Sequence, residues 1–104
     1  MFFVCVIMKT LNSAFFDELK NISDLSEKVN GKDKNKIFQM IKEHSDEIKD
    51  LYCSDDSHWA VETADLIVLC FELLISENKD IDEVFDVCLP RFNVKLKGLL
   101  EKRC

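Results

Sequence analysis

The chain has 104 residues, the size of a single domain, and its 20 acidic and 14 basic residues give a formal charge of −6. This acidic balance argues against a protein that coats DNA or RNA, because binding a polyanion depends on clusters of Lys and Arg. Only two Gly and one Pro are present, while Leu, Ile, Lys and Glu are abundant, so the composition favours an all-α chain.

The five cysteines are widely spaced and form neither a CxxC motif nor a zinc-finger pattern with histidine. A disulfide framework and a structural zinc site are therefore not expected. Cys70 and Cys88 lie among apolar residues, which predicts that they act as small core side chains. Free thiols of this kind indicate a reducing compartment, so we expect a cytoplasmic protein.

Residues 1–12 form a predicted apolar extension, and residues 13–104 form a single predicted helical domain. The segment FFVCVIM is shorter than the roughly 20 apolar residues that a membrane-spanning helix needs. It also lacks the basic start and the cleavage site of a signal peptide. We therefore expect no membrane association. Three interpretations remain open: a short strand, an extension that docks on a partner subunit, or an upstream start with Met8 as the natural first residue.

The first two helices are predicted from apolar side chains that recur with the helical period. The first runs from about Ser13, the predicted N-cap, to Val29, and Asn30-Gly31 is a stop signal. The second begins near Asp33 and ends around Tyr52 and Cys53. Its apolar face carries Ile37, Met40, Ile41, His44, Ile48 and Leu51.

The third helix is predicted from His58 to about Ser76 and is almost entirely apolar. We expect such a helix to be buried nearly all round.

Asp80-Ile-Asp-Glu83 then resembles a capping box that opens a fourth helix. Apolar residues keep the helical period across Pro90, which predicts either one helix kinked near Pro90 or two abutting helices. Four helices with short connections predict an antiparallel four-helix bundle.

Acidic side chains interrupt the apolar third helix at Glu62, Asp65 and Glu72. At 100° per residue these carboxylates share one narrow stripe with His58 and Leu69. A buried carboxylate without a partner costs several kcal/mol, on the order of 3–5, so a cation, a basic side chain or a shared proton must compensate it.

The second helix offers further acids at Glu43 and Glu47, which flank its apolar face, with His44 near the middle of that face. If the second and third helices pack antiparallel, two acids from each converge on a common volume. Convergent oxygen ligands suit Mg²⁺ or Mn²⁺. Glu43 and Asp46 form an alternative pair, but Asp46 falls opposite the apolar face, so Glu43 and Glu47 are preferred.

The segment Glu62-Thr-Ala-Asp65, followed by Leu-Ile-Val-Leu, resembles the ExxD signature of the all-α nucleoside triphosphate pyrophosphohydrolases. That superfamily includes MazG-like proteins, phosphoribosyl-ATP pyrophosphohydrolases and the all-α dUTPases. Its EExxE motif on the preceding helix is matched here by Glu43-His-Ser-Asp-Glu47, with His44 where the motif has an acid. Asp80-Ile-Asp-Glu-Val-Phe looks like the next loop and helix. The resemblance covers roughly residues 37–100.

The resemblance implies a MazG-like bundle that cleaves a nucleotide between its α and β phosphates in the presence of Mg²⁺ or Mn²⁺. It further implies a homodimer or a larger oligomer such as a homotetramer. The implied metal ligands are Glu43, Glu47, Glu62 and Asp65. Glu47 would orient or deprotonate the attacking water, and His44 would either orient that water or replace one metal ligand. Glu72, Arg91 and Lys95 are candidate contacts to the substrate.

Structural interpretations compete with each of these roles. Arg91, Lys95 or Lys97 could form ion pairs with Glu62 and Asp65. Glu43 and Glu47 could belong to a solvated helix face, and His44 could be a hydrogen-bonded core histidine. Glu72 could lie at a subunit edge, and Arg91 and Lys95 could be ordinary surface residues. Trp59 could stack on a base, although an aromatic residue at a helix start is more often part of the core.

Three functions therefore remain open. The first is a small MazG-like nucleotide pyrophosphohydrolase. The second is phosphoribosyl-ATP pyrophosphohydrolase activity in histidine synthesis, which is the same chemistry on one defined substrate. The third is a non-catalytic helical interaction module in which the acid pair is structural.

Overall fold

The computed structural model of the protein describes residues 12–103, and the predicted extension up to residue 11 lies outside this range. Four α-helices and no strands occur in the described part, which confirms the all-α prediction. The helices are α1 (Ser13–Asn30), α2 (Asn35–Cys53), α3 (Trp59–Ser76) and α4 (Ile81–Arg103). None of these four helices has both the length and the apolar character needed to cross a membrane.

The ends of α1 follow from local hydrogen bonding. Asn12 is the N-cap, and its side-chain oxygen accepts a hydrogen bond from the Phe15 backbone N–H at 3.1 Å. The predicted cap Ser13 is therefore the first helical residue instead. At the other end Gly31 adopts a φ of 77° and donates its N–H to the Glu27 carbonyl at 2.8 Å. This left-handed conformation suits glycine, and the predicted stop signal is confirmed.

The start of α4 shows one half of the predicted capping box. The Asp80 side chain accepts a hydrogen bond from the Glu83 backbone N–H at 3.1 Å. Beyond this cap α4 continues through Pro90 as a single helix. Of the two predicted arrangements, one helix across the proline is therefore the one observed.

Helix α3 is the centre of the packing. It contacts α2 most extensively and α1 next, while its contacts with α4 are few. The buried apolar side chains are Leu19 of α1, Ile37 of α2, and Leu69 and Phe71 of α3. The core thus forms where α1 and α2 lie against α3.

The expectation that α3 is buried nearly all round is wrong. Val61, Ile67 and Cys70 are exposed on the part of its surface that neighbouring helices leave uncovered. Cys70 is therefore not the core side chain that the sequence predicted, and Cys88 of α4 is only half-buried. Among residues 12–103 only α1 and α2 pack on α3 extensively, so part of its apolar surface stays uncovered there.

Helix α4 contributes no buried residue, although much of its surface is apolar. Its exposed large side chains are Phe85, Val87, Leu89, Phe92, Val94, Leu96, Leu99 and Leu100. The radius of gyration is 16.5 Å, compared with about 13 Å for a compact domain of 100 residues. The described part of the chain is accordingly elongated, with an apolar helix that the other three helices do not cover.

Candidate metal centre

Three potential metal ligands meet where α2 packs against α3. His44 of α2 and Glu62 and Asp65 of α3 each offer one ligand atom, and these atoms all lie within 4.8 Å of one another. Glu62 and Asp65 are brought to one side of α3 by their spacing of three residues. His44 and Glu62 are half-buried, while Asp65 is exposed, so the cluster borders solvent. A small ligand can therefore reach it without any rearrangement of the helices.

Hydrogen bonding fixes the orientation of the His44 ring. Its Nδ1 lies 2.8 Å from the Met40 carbonyl oxygen, which can only accept, so Nδ1 carries a proton. In the neutral ring Nε2 is then an acceptor, and it lies 3.4 Å from Oε2 of Glu62, another acceptor. Either a proton on Nε2 or a cation near both atoms makes this contact favourable. A carbonyl that holds the far nitrogen of a histidine in this way is typical of metal ligands.

A second histidine contacts the other oxygen of Glu62. His58 Nε2 lies 3.2 Å from Glu62 Oε1. The two residues are four positions apart, one helical turn, and so lie on the same side of the helix. The sequence placed His58 on the same stripe as Glu62 through its spacing of four residues, but did not include it among the site residues. Both oxygens of Glu62 therefore face imidazole rings, which hold the carboxylate in one orientation.

The donor set is compatible with a divalent cation. Two carboxylates and one imidazole provide oxygen and nitrogen ligands, and carboxylates are the ligands that Mg²⁺ and Mn²⁺ prefer. Imidazole is a weaker match to Mg²⁺ than to Mn²⁺ or softer metals, so His44 shifts the preference away from Mg²⁺. Glu62, Asp65 and His44 would hold the cation, and Asp65 is the exposed member of the three.

Glu43 and Glu47, the two predicted ligands from α2, do not belong to this cluster. Both are exposed, and Glu43 accepts a hydrogen bond from the Gln39 side chain at 2.9 Å. Glu43 comes one position before His44 and Glu47 three positions after it. Their role as ligands stays a prediction, and it requires that their side chains move toward the cation when it binds.

The alternative in which a basic residue of α4 neutralises the acid pair is not found. In the part of the chain that the structure describes, the only ion-pair contacts of Glu62 are those with the two histidines, and Asp65 has none. Arg91 and Lys95 instead lie on a separate, open surface of α4, together with Cys88, Pro90, Phe92 and Val94. Contact between these two basic residues and a phosphate of the substrate stays a prediction.

Glu72 lies in a different place from the cluster. It is seven residues beyond Asp65, about 10 Å along the helix axis, and only 4% of it is exposed. With Ser23, Ser26 and Ser76 it lines a small cavity between the helices. Its Oε1 atom is buried and has no hydrogen-bond partner among residues 12–103. The predicted substrate contact would therefore require Glu72 to become accessible.

We expect Glu72→Gln to raise the free energy of unfolding by about 1–2 kcal/mol, because the substitution removes a buried charge while keeping the shape of the side chain. The new amide can donate hydrogen bonds to the serine hydroxyls that line the same cavity. Urea unfolding in metal-free buffer measures the change. The exposed Glu77→Gln is the matched control and should stay within about 0.5 kcal/mol of the parent. Destabilisation by Glu72→Gln would show that the carboxylate has a stabilising partner in solution.

No protein-family model, curated protein or solved structure matches this chain.

Proposed function

We propose that the protein is a nucleotide pyrophosphohydrolase that depends on Mg²⁺ or Mn²⁺ and cleaves between the α and β phosphates. The products are a nucleoside monophosphate and pyrophosphate. The observation that carries this proposal is the meeting of His44, Glu62 and Asp65, whose ligand atoms lie within 4.8 Å of one another beside solvent. The ExxD resemblance of the segment from Glu62 to Asp65 supports the same assignment.

Each residue near the cluster has a distinct proposed task. Glu62 and Asp65 bind the cation, and His44 either completes the ligand set or orients the attacking water. A bound divalent cation supplies charge neutralisation for the phosphates and makes water more acidic. Glu47 is exposed and lies one turn after His44, and it accepts a proton from the attacking water. The oxygen of this water bonds to the α phosphorus. In the same step the bond between the α phosphorus and the oxygen that bridges to the β phosphorus breaks, and pyrophosphate leaves. Glu43 is a further proposed ligand.

A release assay for pyrophosphate tests the proposal. Purified full-length protein is incubated with ribonucleoside and deoxyribonucleoside triphosphates and with phosphoribosyl-ATP, each with EDTA, Mg²⁺ or Mn²⁺. We expect release with at least one substrate, only with metal, and faster with Mn²⁺ because of the imidazole ligand. Chromatography should show the monophosphate rather than the diphosphate as the second product. Turnover confined to phosphoribosyl-ATP would select the biosynthetic alternative, and no turnover with any substrate would contradict the proposal.

We also propose that the active form is a homodimer or homotetramer of MazG-like bundles, with a bend in α4 near Pro90. The apolar side chains that α4 exposes, together with Val61 and Ile67 of α3, support this arrangement, because a second copy can cover them. A sedimentation experiment that finds only monomer at micromolar concentration would contradict the oligomer.

A non-catalytic interaction module is the second candidate function, and the same exposed surface of α4 favours it. In that case the 3.4 Å contact between His44 Nε2 and Glu62 Oε2 is a structural ion pair between α2 and α3. The module predicts partner binding without release of pyrophosphate in the assay above.

A further inference from the structure

An exposed aromatic pair lies at the end of α2 and the beginning of α3. Tyr52 and Trp59 are the only tyrosine and the only tryptophan of the chain. Their ring centroids are 5.5 Å apart and their planes meet at 78°, an edge-to-face arrangement. Tyr52 is 66% exposed and Trp59 is 37% exposed. The expectation that Trp59 belongs to the core is therefore wrong, because the pair packs at the open end of the helix pair rather than between the helices.

The aromatic pair is close to the metal centre along the chain and along the helix axes. Trp59 precedes Glu62 by three residues, a rise of about 4.5 Å. The residue next to it, His58, contacts Glu62 directly at 3.2 Å. Tyr52 lies eight residues beyond His44, about 12 Å along α2. A ligand whose phosphates reach Glu62 and Asp65 can therefore extend toward the two rings.

The rings form two walls of an open cleft of about 450 Å³, which the loop between α2 and α3 completes. This volume lies within the range of about 300–1,000 Å³ that is typical of small-molecule sites. Besides the rings, the lining residues are Cys53, Asp55, Asp56 and Ser57. A flat molecule that stacks on one ring meets the other ring at nearly a right angle.

The polar groups of the cleft restrict which flat molecules fit. The carboxylates of Asp55 and Asp56 accept hydrogen bonds and cannot donate them when ionised. Asp56 already accepts one from the His58 backbone N–H through Oδ1 at 2.9 Å, which fixes its side chain in the loop. The cleft therefore favours an aromatic ring system with N–H donors at its edge, as the ordinary nucleobases have.

We propose that Tyr52 and Trp59 form the nucleobase-binding part of the site, by stacking, with Asp55 and Asp56 accepting hydrogen bonds from N–H groups of the base. This inference rests on the proposed function, since it assigns the base of the nucleotide whose phosphates the metal centre binds. Recognition through stacking tolerates several bases, because every base has an aromatic face. The N–H requirement excludes bases whose donors are blocked.

Fluorescence of Trp59 tests the base site without any contribution from the metal centre. Adenosine, guanosine, cytidine and uridine carry no phosphate and are titrated in buffer with EDTA. Excitation near 295 nm and a parallel titration of N-acetyltryptophanamide correct for absorption by the nucleosides. We expect saturable quenching by at least one nucleoside and none by ribose or inorganic pyrophosphate. Where adenosine binds, N6,N6-dimethyladenosine should bind more weakly, because it lacks the N–H donors.

Substitution of Tyr52 separates stacking from a general effect on the fold. Tyr52→Leu should weaken nucleoside binding by about 5- to 100-fold, the range expected for the loss of one stacking ring, whereas Tyr52→Phe should bind like the parent. Circular dichroism monitors the helices in both variants. Equal binding by the Leu and Phe variants would overturn the proposal, as would the absence of saturable quenching by all four nucleosides.

The outcome for the base site is distinguishable from the outcome for the proposed function. Release of pyrophosphate without saturable quenching would overturn the base site and leave the pyrophosphohydrolase assignment intact. Saturable quenching that is lost in Tyr52→Leu, in a protein that releases no pyrophosphate, would support the base site and contradict the hydrolytic function.

Discussion

Glu62→Gln and Asp65→Asn should each lower the rate of pyrophosphate release by at least about 100-fold while the helical content stays unchanged. Removal of groups that only orient a metal ligand typically costs 10- to 100-fold in affinity or activity, so loss of a ligand itself should cost about 100-fold or more. The steady-state assay with Mn²⁺ and the best substrate of the panel measures this effect. Circular dichroism at 222 nm reports the helices.

Both substitutions keep the shape of the side chain and remove its charge, so the fold should tolerate them. In Glu62→Gln the new amide N–H can donate to Nε2 of His44, which the His44–Met40 hydrogen bond leaves as an acceptor in the neutral ring. The contact between α2 and α3 is thereby preserved. Activity should fall through the lost metal ligand and not through unfolding.

Matched controls and a second measurement make this prediction sharper. Glu18→Gln on α1 and Asp50→Asn on α2 alter exposed acids and should retain the activity of the parent.

The melting temperature of the parent should rise by about 5–10 °C when free Mn²⁺ reaches ten times its Kd. This rise should disappear in Glu62→Gln and Asp65→Asn. Unchanged turnover in these two variants would contradict the metal assignment, even if the protein proves to be an enzyme.

The helices could be predicted from the sequence because their signals are local. The apolar run predicted the third helix from His58 to about Ser76, and the structure has Trp59–Ser76. Asp80 was identified as a cap from its spacing to Glu83 alone. The N-cap of α1 was misplaced by one residue because Asn12 and Ser13 are both good caps, and only the hydrogen bond to Phe15 distinguishes them.

The arrangement of the candidate site could be predicted only in part. The helical period placed Glu62 and Asp65 together and put His44 on the apolar face of its own helix. The period does not reveal how far α2 is shifted along α3, and that shift brings His44 rather than Glu43 or Glu47 against Glu62. The exposure of Ile67 and Cys70 was unpredictable for a related reason. Apolar content shows that a surface needs covering, but it does not show whether the same chain covers it.

The second large effect is expected at Phe71, which joins three helices. Its ring makes edge-to-face contacts with Phe15 and Phe16 of α1 and with Phe85 of α4, at centroid distances of 6.3, 6.2 and 5.9 Å. Phe71 is itself only 8% exposed. Because the contacts between α3 and α4 are few, this aromatic cluster is a principal connection of α4 to the rest of the chain.

Phe71→Ala should lower the free energy of unfolding by about 3–5 kcal/mol, since it removes a buried ring and leaves a cavity among the remaining phenylalanines. Small domains are stable by about 5–15 kcal/mol, so the loss is a large fraction of the total. Phe71→Leu keeps most of the apolar volume and should cost clearly less than the alanine variant. Urea unfolding followed by circular dichroism at a fixed protein concentration measures all the variants.

Phe38→Ala on α2 is the matched control, because it deletes the same ring from an exposed position and should change the stability by less than about 0.5 kcal/mol. A loss below about 1 kcal/mol in Phe71→Ala would mean that the cluster does not hold α1, α3 and α4 together in solution. The position of α4 would then have to be set by contacts outside residues 12–103. The exposed apolar residues of α4 make a second copy the expected source of those contacts, and the stability of Phe71→Ala would then increase with protein concentration.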